Sequence, residues 1–285
     1  METSFKKIGL AITFSPTGHA LLAEAKKLQR LFNAELILIH VGEKNESTVK
    51  RLDEMIISSG LETDKTTIEY EHGDVADSII KKCKEKQVDL LISGALEKES
   101  MIKYYFGSVA RRVMREAPCS ILICPRTSIN RTDYKKICVT VDYSPQGEFT
   151  VRTAYKFALL NNSTDLILVR EFQVPGFAMS VNDDGSLKEA EEVRTSWKEE
   201  EKSKMGMLIR ELQLTGLNVT TTCLYGKEGW EVNKYAEEVN ADLLVLSAPK
   251  RKMSFWDKVF QHDIEFTFSD IPCPLLIVKS EVDVN

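Results

Sequence analysis

The chain has 285 residues, room for about two domains at roughly 150 residues each. Hydrophobic residues make up 43% and charged residues 28%, which excludes a chain disordered by composition. Lys and Arg number 38 against 43 Asp and Glu, for a net charge of -5. That argues against a general nucleic-acid or anionic-membrane binder, while a local basic site stays open.

In chain order, apolar runs at 8–13, 36–41, 66–71, 90–93 and 121–124 predict five strands. Most are continuous rather than alternating, as strands buried on both faces should be. Between the first two, Leu21, Leu22, Ala25, Leu28 and Phe32 recur at helical spacing. Gly73-Asp74 opens a second helical pattern with Val75, Ile79, Ile80 and Cys83. Gly107-Ser108 opens a third with Val109, Val113 and Met114, and Arg111, Arg112 and Arg115 lie between them. Strands alternating with helices predict a parallel sheet covered by helices on both faces.

The same order then repeats. The run from Ile8 through Ser15-Pro16 matches that from Ile137 through Ser144-Pro145, a separation of 129. Ala34 to Ile39 matches Thr164 to Val169, a separation of 130. Val88 to Ser93 matches Ala241 to Leu246, a separation of 153, and Pro118-Cys119 matches Pro272-Cys273, a separation of 154. Four blocks in one order mark an internal duplication. The jump places an insertion of about two dozen residues within 171–225. Residues 189–204, dense in Glu and Lys, read as an extended helix with a solvated face rather than a lid. The polar stretch 126–136 reads as the linker, giving units of 1–128 and 134–285.

No apolar run approaches the roughly 18 residues of a membrane span, and the N-terminus lacks a signal-peptide core. The six cysteines form no Cys-x-x-Cys pair. Reduced thiols and a cytoplasmic location are expected.

In open parallel sheets, ligands bind beyond the carboxyl ends of the strands. In the first copy those positions hold Thr13, Phe14 and Ser15, then Val41 and Gly42, then Gly94. Gly107 and Ser108 follow at a helix start, where free N–H groups favour a phosphate. The four histidines have no partner at zinc-like spacing, and His40 reads as a packed, hydrogen-bonded side chain. Ser15 and Ser144 read as helix caps. Trp230 reads as core or groove wall, and Phe255-Trp256 as a packing segment. Cys119 and Cys273 read as buried packing residues.

The ordered set of Ser15-Pro16, His40-Val41, Gly73-Asp74, Gly107-Ser108 and Pro118-Cys119 resembles the universal stress protein family, as a tandem pair over nearly the whole chain. The resemblance implies an α/β fold of two tandem open-sheet parallel βα domains, three-layer α/β/α and adenine-nucleotide-hydrolase-like. Nucleotide-binding members carry G-x2-G-x9-G-[S/T] after the fourth strand and an acid ending the first. Here that window reads Gly94, Glu97, Gly107 and Ser108, and the acid is Thr13. The second copy keeps the acid, Asp142, but has Ser247, Gln261 and His262 where the first has Gly94, Gly107 and Ser108.

The family likeness therefore points to ATP in the first copy only. Adenine would sit by Val41, ribose by Thr13 and Ser15, and phosphates on Gly94, Gly107 and Ser108. It also implies that the last strands pair the two copies as an intramolecular pseudo-dimer, with a homodimer and an unidentified protein partner left open. No catalytic residue or metal site is expected. A nucleotide-independent interaction protein with vestigial pockets is the alternative, and a slow ATPase the remote one.

Overall fold

The computed structural model describes residues 5–15, 17–94, 96–97, 104–105, 108–124, 133–173, 184–226, 229–248 and 271–280. The chain begins β1 (Lys7–Ala11), α1 (Gly18–Phe32), β2 (Glu35–Val41), α2 (Glu46–Ser59), β3 (Thr66–Glu71), α3 (Val75–Lys86) and β4 (Leu90–Gly94). A short hairpin, β5 (Leu96–Glu97) and β6 (Tyr104–Tyr105), precedes α4 (Ser108–Glu116) and β7 (Ser120–Cys124). The second copy runs β8 (Lys136–Thr140), α5 (Pro145–Leu160), β9 (Asp165–Phe172), α6 (Asp184–Leu212), β10 (Asn218–Tyr225), α7 (Glu231–Glu238), β11 (Leu243–Ser247) and β12 (Leu275–Val278).

Ten strands form one sheet in the order β10-β9-β8-β11-β12-β7-β4-β1-β2-β3. Each half reads 3-2-1-4-5 from its own outer edge, so the order is a palindrome. Pairing is parallel within each half and antiparallel only between β12 and β7, where Leu276 faces Leu122. Those two leucines are also equivalent in the repeat, so the pseudo-twofold axis passes through their pair. The last strands, apolar edges when each copy is taken alone, therefore become the centre of a joint sheet, as the pseudo-dimer expectation requires.

Side chains alternate between two cores, because successive strand residues point to opposite faces. Leu10, Leu38, Ile92, Leu122 and Leu276 face α1, α2, α5 and α6, while Ile39, Leu91, Ile121 and Leu275 face α3, α4 and α7. Helices thus cover both faces, giving three layers. A ring contact links the halves on the first face, Phe32 to Phe157 at 5.6 Å, and Tyr134 packs on the same Phe157 ring at 5.4 Å.

The helix starts follow local chemistry. Asp74 accepts from the Asp77 amide at 2.9 Å and Ser144 from the Gly147 amide at 3.0 Å, each relieving an unpaired donor at a helix start. Ser15 departs from its expected role. α1 begins at Gly18 after Thr17, with no side-chain cap, and only the Ser15 carbonyl accepts from Gly18. The inserted region gives one helix of 29 residues, α6, and its described residues 191–200 are almost all exposed. This matches the extended, solvated helix read from the charge pattern.

Two further readings need correction. Tyr134, inside the stretch read as linker, is fully buried, and its hydroxyl donates to Glu24 at 2.5 Å. A polar sequence concealed an anchor because one aromatic ring found a carboxylate on α1. Of the two places read for Trp230, core or groove wall, the first is wrong: it is half-exposed, in the turn just ahead of α7. Phe255-Trp256 lies outside the described residues. All six cysteines are buried, and no disulfide joins them. No helix among the described residues is long and apolar enough to cross a membrane.

Candidate functional site

β1 lies between β2 and β4, so the carboxyl ends of all three meet at one end of the first half-sheet. That brings Thr13 and Ser15, in the loop after β1, together with Val41 at the end of β2 and Gly94 at the end of β4. Thr13 Oγ1 donates to Ser15 Oγ at 3.0 Å, and Ser15 Oγ lies 2.9 Å from Thr17 Oγ1. The result is a row of three linked hydroxyls, with Thr13 exposed. Ser108 opens α4 as expected, while Gly107 lies outside the described residues. Arg112, in the middle of α4, pairs with Asp74 at 3.2 Å and with Asp77, so α4 lies beside the start of α3. Glu97, at the motif's second glycine, belongs to the hairpin, where it pairs with Tyr104.

Gly94 has a structural reason of its own. A Cβ there would stand 3.0 Å from Leu21 Cδ1, so the glycine admits a close approach by α1. The second copy solves the same contact differently. Ser247 replaces Gly94, Thr150 replaces Leu21, and the two hydroxyls hydrogen-bond at 3.0 Å. Gly94→Ser should therefore destabilise by about 1–2 kcal/mol through crowding. Adding Leu21→Thr should recover part of that loss, with a coupling of about 1 kcal/mol. Urea unfolding of the single and double variants checks it; strictly additive costs would show that the two positions are not exchanged as a pair.

Beneath the first-copy loop lies a row of rings that sequence reasoning only partly found. His40 is buried, and its Nδ1 lies 3.3 Å from the Ile12 carbonyl. A carbonyl only accepts, so Nδ1 carries the proton. Phe14 stands 5.2 Å from His40 on one side, and Tyr70 6.2 Å on the other. The Arg51 guanidinium lies over Phe14 at 4.3 Å and the Lys44 ammonium over Tyr70 at 4.8 Å.

The second copy has a different filling. Arg170 stands where His40 does in the repeat, and its Nη1 donates to the Val141 carbonyl at 3.2 Å. Its Nε donates to Glu201 of α6 at 2.9 Å, and Lys204 reaches the same carboxylate at 3.0 Å. The Tyr143 ring, in the place of Phe14, lies 5.2 Å from the Arg170 guanidinium. Burial, then the Glu201 charge, raises the Tyr143 phenol well above its usual range. Asp142, the retained acid, accepts from the Ser144 amide at 2.9 Å and its hydroxyl at 2.6 Å, so it holds its own loop. The repeat alignment was the available signal for Arg170, since it places that residue against His40. Glu201 had none, because the insertion lies between the matched blocks and leaves α6 without a clear alignment.

Among the described residues, no group of His, Cys, Asp or Glu could hold a metal ion. Gln261 and His262 lie outside the described residues.

A model of the universal stress protein family matches residues 57–125 and 133–279, more than half of the chain. A functionally unknown protein from Pseudomonas aeruginosa PAO1 has a similar structure, at 14% identity and a TM-score of 0.71, over 99% of this chain and 95% of that one. A universal stress protein from Archaeoglobus fulgidus DSM 4304 matches at 14% identity and a TM-score of 0.64, over 98% of each chain. Curated proteins give no match by sequence.

Proposed function

The chain belongs to the universal stress protein family, and on that footing we propose that it is a regulatory protein of the stress response whose first unit, residues 1–128, binds ATP while its second, 134–285, does not. The observation that carries this reading is the contrast between the two sheet ends. In the second copy the Arg170–Glu201 pair spans β9 and α6 beside the end of β8, and Asp142 is occupied with its own loop. In the first copy His40 stands in the place of Arg170 and bonds to the Ile12 carbonyl, and among the described residues no ion pair joins β2 to α2. Thr13 and Ser15 fit a ribose, because their linked hydroxyls can both donate and accept. The Val41 backbone fits the adenine edge. The start of α4 at Ser108 fits a phosphate through the amides of a helix's first turn, and Gly107 and Gly94 are kept as the phosphate positions that the motif suggests. Cleavage of ATP is not part of the proposal, since no base stands among these residues.

Labelled ATP in equilibrium dialysis tests it. One site per chain is expected, lost in Gly107→Glu, because the new carboxylate would face phosphate oxygens. Absence of binding at millimolar nucleotide, or binding indifferent to that substitution, would overturn it.

Two observations favour a second reading, a nucleotide-independent interaction protein. Gly94 is already accounted for by Leu21, and Thr13 supplies no charged acceptor. Under this reading the units pair through β7 and β12 and act on a protein partner. ATP carried through purification and seen in native mass spectra would exclude it.

A further inference from the structure

We propose that a cleft between α1 and α2 binds a small organic anion, a flat apolar body bearing one phosphate or carboxylate. The cleft measures about 510 Å³ and is lined by Phe14, Ser15, His19, Arg51, Met55 and Ser58, with Glu54 its one carboxylate. That volume lies in the range of small-molecule pockets, which combine apolar walls with a few placed polar groups.

Arg51 is the recognition group. Its guanidinium is fixed over the Phe14 ring at 4.3 Å, and no side chain or carbonyl among the described residues accepts from it. Arg112 and Arg170 differ, each having carboxylate partners. Stacking on a ring leaves the edge N–H groups of a guanidinium free, and their fork matches two oxygens of a phosphate or carboxylate. Glu54 makes no ion pair with Arg51; its ion partner is Lys50, at 4.0 Å. His19 and Ser15 add polar groups on the α1 side.

The apolar half is equally well fixed. Phe14 rests against His40, which the Ile12 carbonyl holds in one orientation, and Met55 is buried beside the cleft. A thioether adapts its shape to a flat ligand. The cleft shares Ser15 with the proposed ribose position, but Arg51, Met55 and Ser58 come from α2, which that position does not use. The inference stands apart from the ATP reading and survives its failure.

Phenyl phosphate and benzoate, titrated separately into the full chain, test it by calorimetry and amide NMR shifts. Saturable binding of at least one is expected, with shifts centred on Phe14, His19 and Arg51. Which of the two binds more tightly identifies the preferred anionic group. Inorganic phosphate and benzyl alcohol should each bind at least about tenfold more weakly, since each lacks one half of the ligand. Arg51→Gln, an exposed substitution, should weaken the aryl anion about tenfold or more, while Gly107→Glu leaves it unchanged. The proposal falls if neither aryl anion saturates, if inorganic phosphate binds as well, or if folded Arg51→Gln binds normally; because Ser15 is shared, competition by ATP alone would show only that the two positions overlap.

Discussion

Leu122→Asp should cost more than about 4 kcal/mol and leave the chain largely unfolded, because a carboxylate at that position has no water and no partner. Leu122 and Leu276 are both fully buried, and they face each other across the only antiparallel junction of the ten-stranded sheet. Both belong to the core that runs through the two halves on the α1 and α5 face. A charge there disturbs the axis of the duplication rather than one copy. Leu122→Ala should cost about 2–5 kcal/mol through the cavity it leaves. Leu122→Met, nearly equal in volume, should cost less than about 1.5 kcal/mol. Urea unfolding followed by far-ultraviolet circular dichroism orders the three. The Tyr134–Glu24 bond and the Phe32–Phe157 contact also cross between the halves, so one cooperative transition is expected in the parent chain. An unchanged midpoint in Leu122→Asp, or two well-separated transitions in the parent, would mean the halves are not one folding unit.

The second large effect concerns Arg170 and Glu201. The Glu201 side chain is 5% exposed and that of Arg170 24%. Removing one member of a desolvated pair leaves the other charge uncompensated, at a cost of about 3–5 kcal/mol. Arg170→Ala should fall near the lower end, because Lys204 still reaches Glu201. Arg170→Met with Glu201→Leu should recover most of that stability, since an apolar pair of similar size has no charge to desolvate.

The pH dependence follows from the same pair. Burial by itself would raise the Glu201 carboxyl, but hydrogen bonds from Arg170 and Lys204 outweigh it and hold the group below the usual carboxylate range. A native value below the unfolded one means that the folded state keeps its carboxylate charged to lower pH. Its stabilisation is therefore fully present above the unfolded value of about 4.3 and is lost as pH falls through the native value. Glu71, Glu85, Glu116 and Asp165 are lowered too. The informative quantity is thus the difference between the parent and Glu201→Gln. That difference should shrink below about pH 4. A difference independent of pH from 3 to 7 (on the order of the window just given) would remove Glu201 from the linkage.

The amino-acid sequence by itself determined the duplication, the alternation of strand and helix, and the covering of both sheet faces. Period and apolar content decide those features, and neighbours 100 residues away hardly alter them (an order-of-magnitude separation, local patterning being set over about 11–18 residues). It also determined that Gly94, Val41, Thr13 and Ser15 sit at strand ends, because strand limits follow from where apolar runs stop.

Only the tertiary structure decided what those residues touch. Gly94 reads as a phosphate glycine until Leu21 is seen against it, and Ser247 reads as a loss until Thr150 is found bonded to it. Tyr134 looked like linker until Glu24 lay opposite its hydroxyl. Arg51 over Phe14 and Arg170 against Glu201 join separate elements of the chain, so no local pattern announces them. Hydrogen bonds and ion pairs act over a few ångströms of space (about 3–4 Å), whereas sequence reports distance along the chain. The palindromic sheet converts one into the other, and with it two copies of one pattern acquired unlike interiors.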